Sequence, residues 1–174
     1  MAKAAISRIE GLRVGFQRWA ILGLRSFAQR AARRVSHGKQ RPAHLLTGER
    51  GELEALFFLR RQGYLVVEQR WRSREFNGDL DLIAWDGDTL CFVEVKARTR
   101  RDRTPAASAI DYAKKQMLRR MASSYRRTLP AEQRYNTPVR FDVVSVYLVG
   151  GTADCELVRG AFALDSPFFR GDGV

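Results

Sequence analysis

The sequence is poor in the residues that build metal sites from sulfur and imidazole. Its 174 residues include two cysteines, Cys91 and Cys155, and two histidines, His37 and His44. Two cysteines exclude a disulfide framework and a cysteine-rich zinc site, and two histidines argue against a histidine-based metal site or catalytic triad. So few cysteines are typical of a reducing compartment, and we predict a cytoplasmic protein.

Long apolar runs and several common catalytic motifs are also missing. The longest apolar run in the first 40 residues covers 19–24, which is too short for a membrane span or a convincing signal-peptide core. The sequence has no glycine-rich phosphate loop, nucleophile elbow, CxxC pair, internal repeat or low-complexity stretch. Any chemistry must therefore come from residues outside these motifs.

Acidic residues are scarce relative to basic ones. The 31 Lys and Arg exceed the 19 Asp and Glu, which gives a formal charge of +12 and favours a polyanionic partner, either nucleic acid or an anionic membrane surface. Residues 1–41 contain ten Lys or Arg and the single acid Glu10, a net charge of +9. A nearly balanced body therefore follows a basic arm, and the length and the 45% hydrophobic content indicate one folded domain with this appendage.

The basic arm, residues 1–41, has the pattern of an imperfect amphipathic helix. Arg13 and Arg34 interrupt its apolar stripe, and Gly38 and Pro42 mark its end. We interpret it as a solubilising arm, a nucleic-acid grip or a membrane-surface helix; a transit peptide is the weakest alternative. The stripe consists of Ile9, Leu12, Phe16, Ala20, Phe27 and Ala31.

The body predicts the element order αβββαββ. Thr47 is the expected cap of a helix that ends at Gln62, with Gly63 as its stop, and Pro105 is expected to open a helix that ends near Pro130. Strands are predicted over 64–71, 79–85, 89–97, 139–149 and 156–158. This order indicates an α/β domain over 45–165, a mixed central sheet flanked by helices, followed by a tail at 166–174.

Charged residues lie in the middle of two of these strands. Asp81 interrupts one apolar run, and Glu94 and Lys96 are two residues apart in the next strand, hence on one face. A hairpin loop of Gly87-Asp88 places Asp81 directly opposite Glu94, about 5 Å away, and a loop of Asp86-Gly87 places it diagonally, about 7–8 Å away. Both alternatives put the three charges on the same face of the sheet.

Two carboxylates this close repel unless a positive charge lies between them. Lys96 can provide that charge, and so can Mg²⁺, which prefers oxygen ligands and keeps several waters. A metal bound here could polarise a phosphodiester and activate water. The alternative interpretation of Asp81, Glu94 and Lys96 is an ion cluster without a catalytic role.

Two helical residues, Glu52 and Lys114, lie on apolar stripes and therefore point inward. A buried charge without a partner is costly, so each is expected either to meet a partner at a cleft or to reach water from the end of its stripe. The first stripe contains Ala55, Leu56 and Leu59, and the second contains Ile110, Met117, Leu118, Met121 and Tyr125.

Five ordered motifs resemble those of the YraN-like family, bacterial proteins with a restriction-endonuclease-like fold. The resemblance covers roughly residues 45–165, and the basic arm lies outside it. The motifs are Gly48-x-x-Gly51-Glu52-x-x-Ala55, Gly63-Tyr64, Gly78-Asp79-Leu80-Asp81-Leu82-Ile83-Ala84, Phe92-Val93-Glu94-Val95-Lys96-x-Arg98 and Arg140-Phe141-Asp142-Val143-Val144.

The resemblance implies a metal-dependent endonuclease that hydrolyses DNA phosphodiesters, with branched or damaged DNA as candidate substrates. It implies that Asp81 and Glu94 bind Mg²⁺ or Mn²⁺ beside the Val95 carbonyl, and that Lys96 is the catalytic lysine. Glu52 and Lys114 match an acidic and a basic position of the family's site. A non-catalytic nucleic-acid-binding protein on the same fold and a membrane-surface adaptor acting through the arm are the alternatives, and a homodimer stays open.

An arginine-rich loop follows the Glu94 strand and is predicted to hold nucleic-acid phosphates if it borders the site. The sequence departs from the family pattern nearby, because Asp79 stands where Glu is common, Lys115 replaces a Gln, and the loop at 73–77 looks about two residues longer. Asp142 is expected to pair with an arginine or to support the site. The nucleic-acid-binding candidates are Arg98, Arg100, Arg101, Arg103 and Arg119.

Overall fold

The computed structural model describes residues 42–101 and 110–164. The predicted helical arm, the nucleic-acid candidate Arg103, the predicted helix start at Pro105 and the tail at 166–174 lie outside these residues. No helix within the described ranges has the length and apolar character needed to cross a membrane.

The described residues form three helices and five strands. The predicted order αβββαββ is confirmed apart from one additional short helix, α3. In chain order the elements are α1 (Ala43–Arg61), β1 (Leu65–Trp71), β2 (Leu80–Asp86), β3 (Thr89–Arg98), α2 (Tyr112–Arg126), α3 (Ala131–Arg134), β4 (Val139–Val149) and β5 (Thr152–Phe162).

The five strands form one mixed sheet in the order β1-β2-β3-β4-β5. Only β3 and β4 run parallel, and the other neighbouring pairs are antiparallel. A parallel pair needs a crossover connection, and the chain between β3 and β4 contains α2 and α3. The predicted mixed α/β sheet is therefore confirmed.

The helix boundaries differ from the prediction at their amino ends. Helix α1 begins at Ala43, with Pro42 before it, and so Thr47 lies inside the helix and does not cap it. Helix α2 begins at Tyr112 and not at Pro105, because the Asp111 side chain accepts a hydrogen bond from the Lys114 N–H at 2.7 Å and caps it there. Short-range capping and good helix formers decide these starts.

The predicted ends of α1 and of the strands are closer to the structure. Gly63 follows α1 with a φ of 89°, a left-handed conformation that glycine adopts without strain. Strands β1, β2 and β3 begin and end within one residue of the prediction, and β4 matches it. Strand β5 is much longer than the predicted 156–158 because it pairs along most of β4.

Helices α1 and α2 cover opposite faces of the sheet. On β3, Ala97 lies against Gly51 of α1, whereas the Phe92 ring contacts the Tyr125 ring of α2 with centroids 5.9 Å apart. Residues separated by an odd number along a strand point to opposite faces. The face of Phe92 also carries Glu94 and Lys96, so α2 packs on the face with the charged residues.

Gly51 and Gly48 form a matched pair for testing how closely α1 approaches β3. A Cβ added at Gly51 lies 2.5 Å from the Ala97 Cβ, and a Cβ at Gly48 meets nothing within 4 Å. We expect Gly51→Ala to lower the free energy of unfolding by about 1–3 kcal/mol through overpacking. Gly48→Ala is expected to raise it by about 0.5–1 kcal/mol through helix propensity. Urea denaturation measures both, and a Gly51→Ala protein as stable as Gly48→Ala contradicts this packing.

Candidate functional site

The β2–β3 hairpin places Asp81 opposite Glu94. The observed register pairs Asp86 with Thr89 and Leu82 with Val93, so the loop is Gly87-Asp88, the first of the two predicted alternatives. The ladder ends at the Leu82–Val93 pair, and Asp81 and Glu94 are the next residues in the same register. The two acidic residues therefore lie where the two strands separate.

Where the β2–β3 ladder ends, the Asp81 side chain replaces a backbone partner. The Asp81 Oδ2 accepts a hydrogen bond from the Val95 N–H at 2.7 Å. Because the N–H and C=O of one strand residue point toward the same neighbouring strand, the Val95 carbonyl also faces β2. Two carboxylates and one backbone carbonyl are thus gathered at the open end of the ladder.

Glu94 is the buried centre of the charged cluster. Its side chain is 4% exposed, its Oε1 lies 2.9 Å from the Lys96 Nζ, and its Oε2 lies 3.1 Å from the Lys114 Nζ. The contact of Lys114 is an ion pair by distance only, because Oε2 has no hydrogen bond of acceptable geometry. The structure therefore brings Lys96 from the strand and Lys114 from α2 to the same carboxylate.

Burial and the neighbouring acid Glu94 both raise the pKa of Asp81. Burial raises the pKa of Asp81 to about 7, the charge of Glu94 acts in the same direction, and the Val95 N–H and the Lys114 ammonium oppose the rise. The charge of Glu52 also raises the pKa of Asp81, but by less than the charge of Glu94. A divalent cation between Asp81 and Glu94 would remove the repulsion that favours the protonated form.

The raised pKa of Asp81 predicts a pH dependence of stability that Asp81→Asn removes. Since the folded-state pKa is about 7 against an ordinary aspartate pKa of 3.8, the folded protein holds this proton more tightly than the unfolded chain. The resulting stabilisation is fully present below about pH 4 and is lost as the pH rises through about 7. We expect Asp81→Asn, which keeps an acceptor for the Val95 N–H, to lack this decline.

Urea denaturation in EDTA across this pH range measures the difference between the two proteins. At about pH 8 the variant is expected to be the more stable protein, because only the wild type then buries a repelling carboxylate. Adding Mg²⁺ is expected to stabilise the wild type and not the variant. A wild type that gains stability relative to Asp81→Asn as the pH rises would contradict the assignment.

Glu52 meets a partner that the sequence pattern did not indicate. The carboxylate of Glu52, which is 14% exposed, accepts hydrogen bonds from the Nε of Arg70 at 2.6 Å and from its Nη2 at 2.7 Å. Of the two expectations for Glu52, an inward-facing partner is what the structure shows. No periodicity or motif singles out Arg70, so the sequence offered no signal for this pair.

Two of the candidate arginines contact residues of β4 and β5 and the residue after β5. Arg101 pairs with Asp154 and Glu156 and lies over the Tyr147 ring, while Arg119 donates to the Ala163 carbonyl at 3.0 Å. These contacts direct both side chains toward β5 and the residues after it. Arg98 is half-buried and Arg100 is exposed.

Asp142 belongs to a separate cluster on the other face of the sheet. It pairs with Val93 in the parallel ladder, one residue out of phase with Glu94. Its buried carboxylate accepts hydrogen bonds from Arg140, from the Tyr64 hydroxyl at 3.0 Å and from the Gly160 N–H at 2.9 Å. Burial raises the pKa of Tyr64 to about 12. Asp142 therefore pairs with an arginine, as expected, and supports the fold.

The donor set near Asp81 fits a hard cation and not zinc. Within residues 42–101 and 110–164, no group of three or more His, Cys, Asp or Glu side chains is arranged to hold a metal. Mg²⁺ and Mn²⁺ keep several water ligands, so two carboxylates and one backbone carbonyl are enough ligands from the protein. The Glu94 Oε2 is buried and has an ion pair with Lys114 but no hydrogen bond, so it is an oxygen of this set that could also bind such a cation.

Comparison with known proteins identifies relatives along most of the body. The profile of the uncharacterised protein family UPF0102 matches residues 51–146. A UPF0102 protein of Koribacter versatilis is 46% identical over 123 residues, covering 71% of this chain and 83% of the relative. A UPF0102 protein of Solibacter usitatus is 40% identical over 133 residues, covering 76% and 96%. A third, from Symbiobacterium thermophilum, is 41% identical over 116 residues, covering 66% and 94%.

Proposed function

Because the chain belongs to the uncharacterised protein family UPF0102, as the YraN-like resemblance predicted, and this name specifies no reaction, we propose a function from the site. The protein is proposed to be a Mg²⁺- or Mn²⁺-dependent endonuclease of restriction-endonuclease-like fold that hydrolyses DNA phosphodiesters. One observation supports this most: Asp81 and Glu94 follow the last pair of the β2–β3 ladder in register, with the Lys96 Nζ 2.9 Å from Glu94.

Each residue of the site has a role in this proposal. Asp81, Glu94 and the Val95 carbonyl would hold the metal, which supplies a polarised phosphoryl oxygen and an acidified water when bound. Lys96 stands beside the Glu94 carboxylate, where its ammonium group can orient the attacking water or offset negative charge that develops on the phosphate. Lys114 holds the second oxygen of Glu94 and fixes the position of that carboxylate.

A nucleic-acid-binding protein without turnover is the second candidate. The two lysines favour this candidate. Because Lys96 and Lys114 already balance the charge of Glu94, the site needs no metal to neutralise that carboxylate. The membrane-surface adaptor depends on the arm at residues 1–41, outside the described residues, and stays a prediction.

A cleavage panel distinguishes the two candidates. Duplex, single-stranded, four-way-junction and abasic DNA are incubated with the full chain in Mn²⁺, in Mg²⁺ and in EDTA. Metal-dependent cleavage of at least one DNA is expected, and Asp81→Asn prepared identically should leave every DNA intact. Binding without metal-dependent cleavage favours the second candidate. Cleavage by both proteins indicates a contaminating nuclease and contradicts the proposed site.

A further inference from the structure

Arg70 has a strained backbone conformation. Its φ is 47°, and among the described residues it is the only non-glycine residue with a positive φ. A side-chain-bearing residue pays a free-energy cost in this left-handed region, and such strain persists only where surrounding contacts fix it. The conformation redirects the Arg70 side chain relative to a regular strand residue, which is a reason to ask what the side chain does.

The register of the sheet places the backbone of Arg70 opposite that of Asp81. Its neighbours Gln69 and Trp71 pair with Leu82 and Leu80, which are the neighbours of Asp81. The backbone of Arg70 therefore lies opposite Asp81, and its positive φ turns the side chain toward Glu52 of α1. Its partner Glu52 is close enough to Asp81 for its charge to influence that carboxyl group.

The guanidinium of Arg70 retains donors that Glu52 does not use. Glu52 accepts hydrogen bonds from Nε and Nη2, whereas Nη1 lies 3.7 Å from the Glu49 Oε1, beyond hydrogen-bond distance. The side chain is 33% exposed. The second edge of the guanidinium therefore has only this long ion pair with Glu49. It keeps N–H donors that a phosphate could accept.

We propose that Arg70 binds a backbone phosphate of the DNA next to the Asp81–Glu94 site and that Glu52 is its positioning residue. The inference rests on the proposed function and assigns the partner of one specific side chain. It also gives Glu52 a role different from metal binding, because both of its oxygens are engaged by the guanidinium. The competing explanation is that Glu52 and Arg70 only tie α1 to β1.

Arg70→Asn separates these explanations, because asparagine tolerates a positive φ but lacks the guanidinium. Binding of a fluorescein-labelled duplex is measured in Ca²⁺ at several salt concentrations. We expect the affinity to fall about tenfold and the slope of log Kd against log salt to decrease by about 1, as for the loss of one phosphate contact. Arg70→Lys should keep the salt slope and lose part of the affinity, since it preserves the charge without the fork.

Glu52→Gln tests the positioning role. If Glu52 acts through Arg70, Glu52→Gln weakens binding in the wild-type background and has no further effect in the Arg70→Asn background. Independent losses in the two backgrounds would show that Glu52 acts directly and would overturn its positioning role. Mg²⁺-dependent stabilisation, measured by thermal unfolding, should be retained in Glu52→Gln.

The outcomes distinguish a failure of the inference from a failure of the proposed function. If the wild type binds the duplex and Arg70→Asn matches it in affinity and salt slope, the phosphate contact is wrong and the metal-dependent endonuclease still stands. If the wild type binds no DNA under any of these conditions, both proposals fall together. If Arg70→Asn unfolds at a lower temperature but binds DNA as the wild type does while folded, the Glu52–Arg70 pair only stabilises the packing of α1 on β1, and the phosphate contact is wrong.

Discussion

Lys96→Met is expected, under the proposed endonuclease function, to lower the rate of metal-dependent DNA cleavage by about 10²–10³-fold, the typical effect of losing one preorganised electrostatic group. The affinity for DNA in Ca²⁺ should change little, because the ammonium of Lys96 is 2.9 Å from Glu94 and is already paired in the free protein. Methionine keeps the apolar stem, so packing against the sheet is preserved. Single-turnover cleavage and fluorescence anisotropy measure the two quantities separately.

Lys114→Met is the matched control for this experiment. Lys114 pairs with the other oxygen of Glu94, and its side chain is exposed to a similar degree, 28% against 31% for Lys96. Both variants remove one ion pair from the same buried carboxylate and should lose similar stability. We expect Lys114→Met to raise the Mg²⁺ concentration needed for half-maximal rate. Equal losses of the saturated rate would mean that both lysines act only by holding Glu94.

Asp142→Ala is expected to cause the largest loss of stability, about 3–5 kcal/mol in the free energy of unfolding. The Asp142 side chain is fully buried and accepts hydrogen bonds from Arg140, Tyr64 and Gly160. Its removal leaves the Arg140 guanidinium and the Tyr64 hydroxyl without their buried acceptor. Urea denaturation with a shared m-value measures the change.

Asp86→Ala provides the comparison for this buried network. Asp86 also pairs with Arg140, at 2.7 Å, but its side chain is 30% exposed, and a pair that water screens contributes at most about 1 kcal/mol. The difference between the two variants isolates the effect of burial. If Asp142→Ala costs no more than Asp86→Ala, water must replace the lost carboxylate and the network is less enclosed than its geometry indicates.

Much of the sheet and part of the site could be predicted because they depend on short-range patterns. Apolar runs on either side of a turn signal indicate the strands that carry Asp81 and Glu94, and a two-residue loop with Gly87 at a φ of 59° completes the hairpin. Once the loop is known, the register follows by counting. The hairpin alternatives differed by a single position, which local sequence could not resolve.

The predictions failed where a local signal had a stronger competitor. Thr47 is a good cap, but the apolar residues before it extend α1 back to Ala43, where Pro42 precedes the first turn. Strand β5 is longer than the predicted 156–158 although residues 152–157 alternate polar and apolar side chains. Its observed length follows the pairing with β4, which runs from Thr152 to Phe162.

By itself the sequence determined the order of the elements, the hairpin and the shared face of Asp81, Glu94 and Lys96, because these follow from periodicities within a few residues. Only the tertiary structure decided that Lys114 reaches Glu94, that Arg70 holds Glu52 and that Asp142 is enclosed by Tyr64 and Arg140. The physical reason is that these partners come from different elements. Their distances are set by how the helices pack on the sheet and by one strained backbone angle, and neither leaves a pattern along the chain.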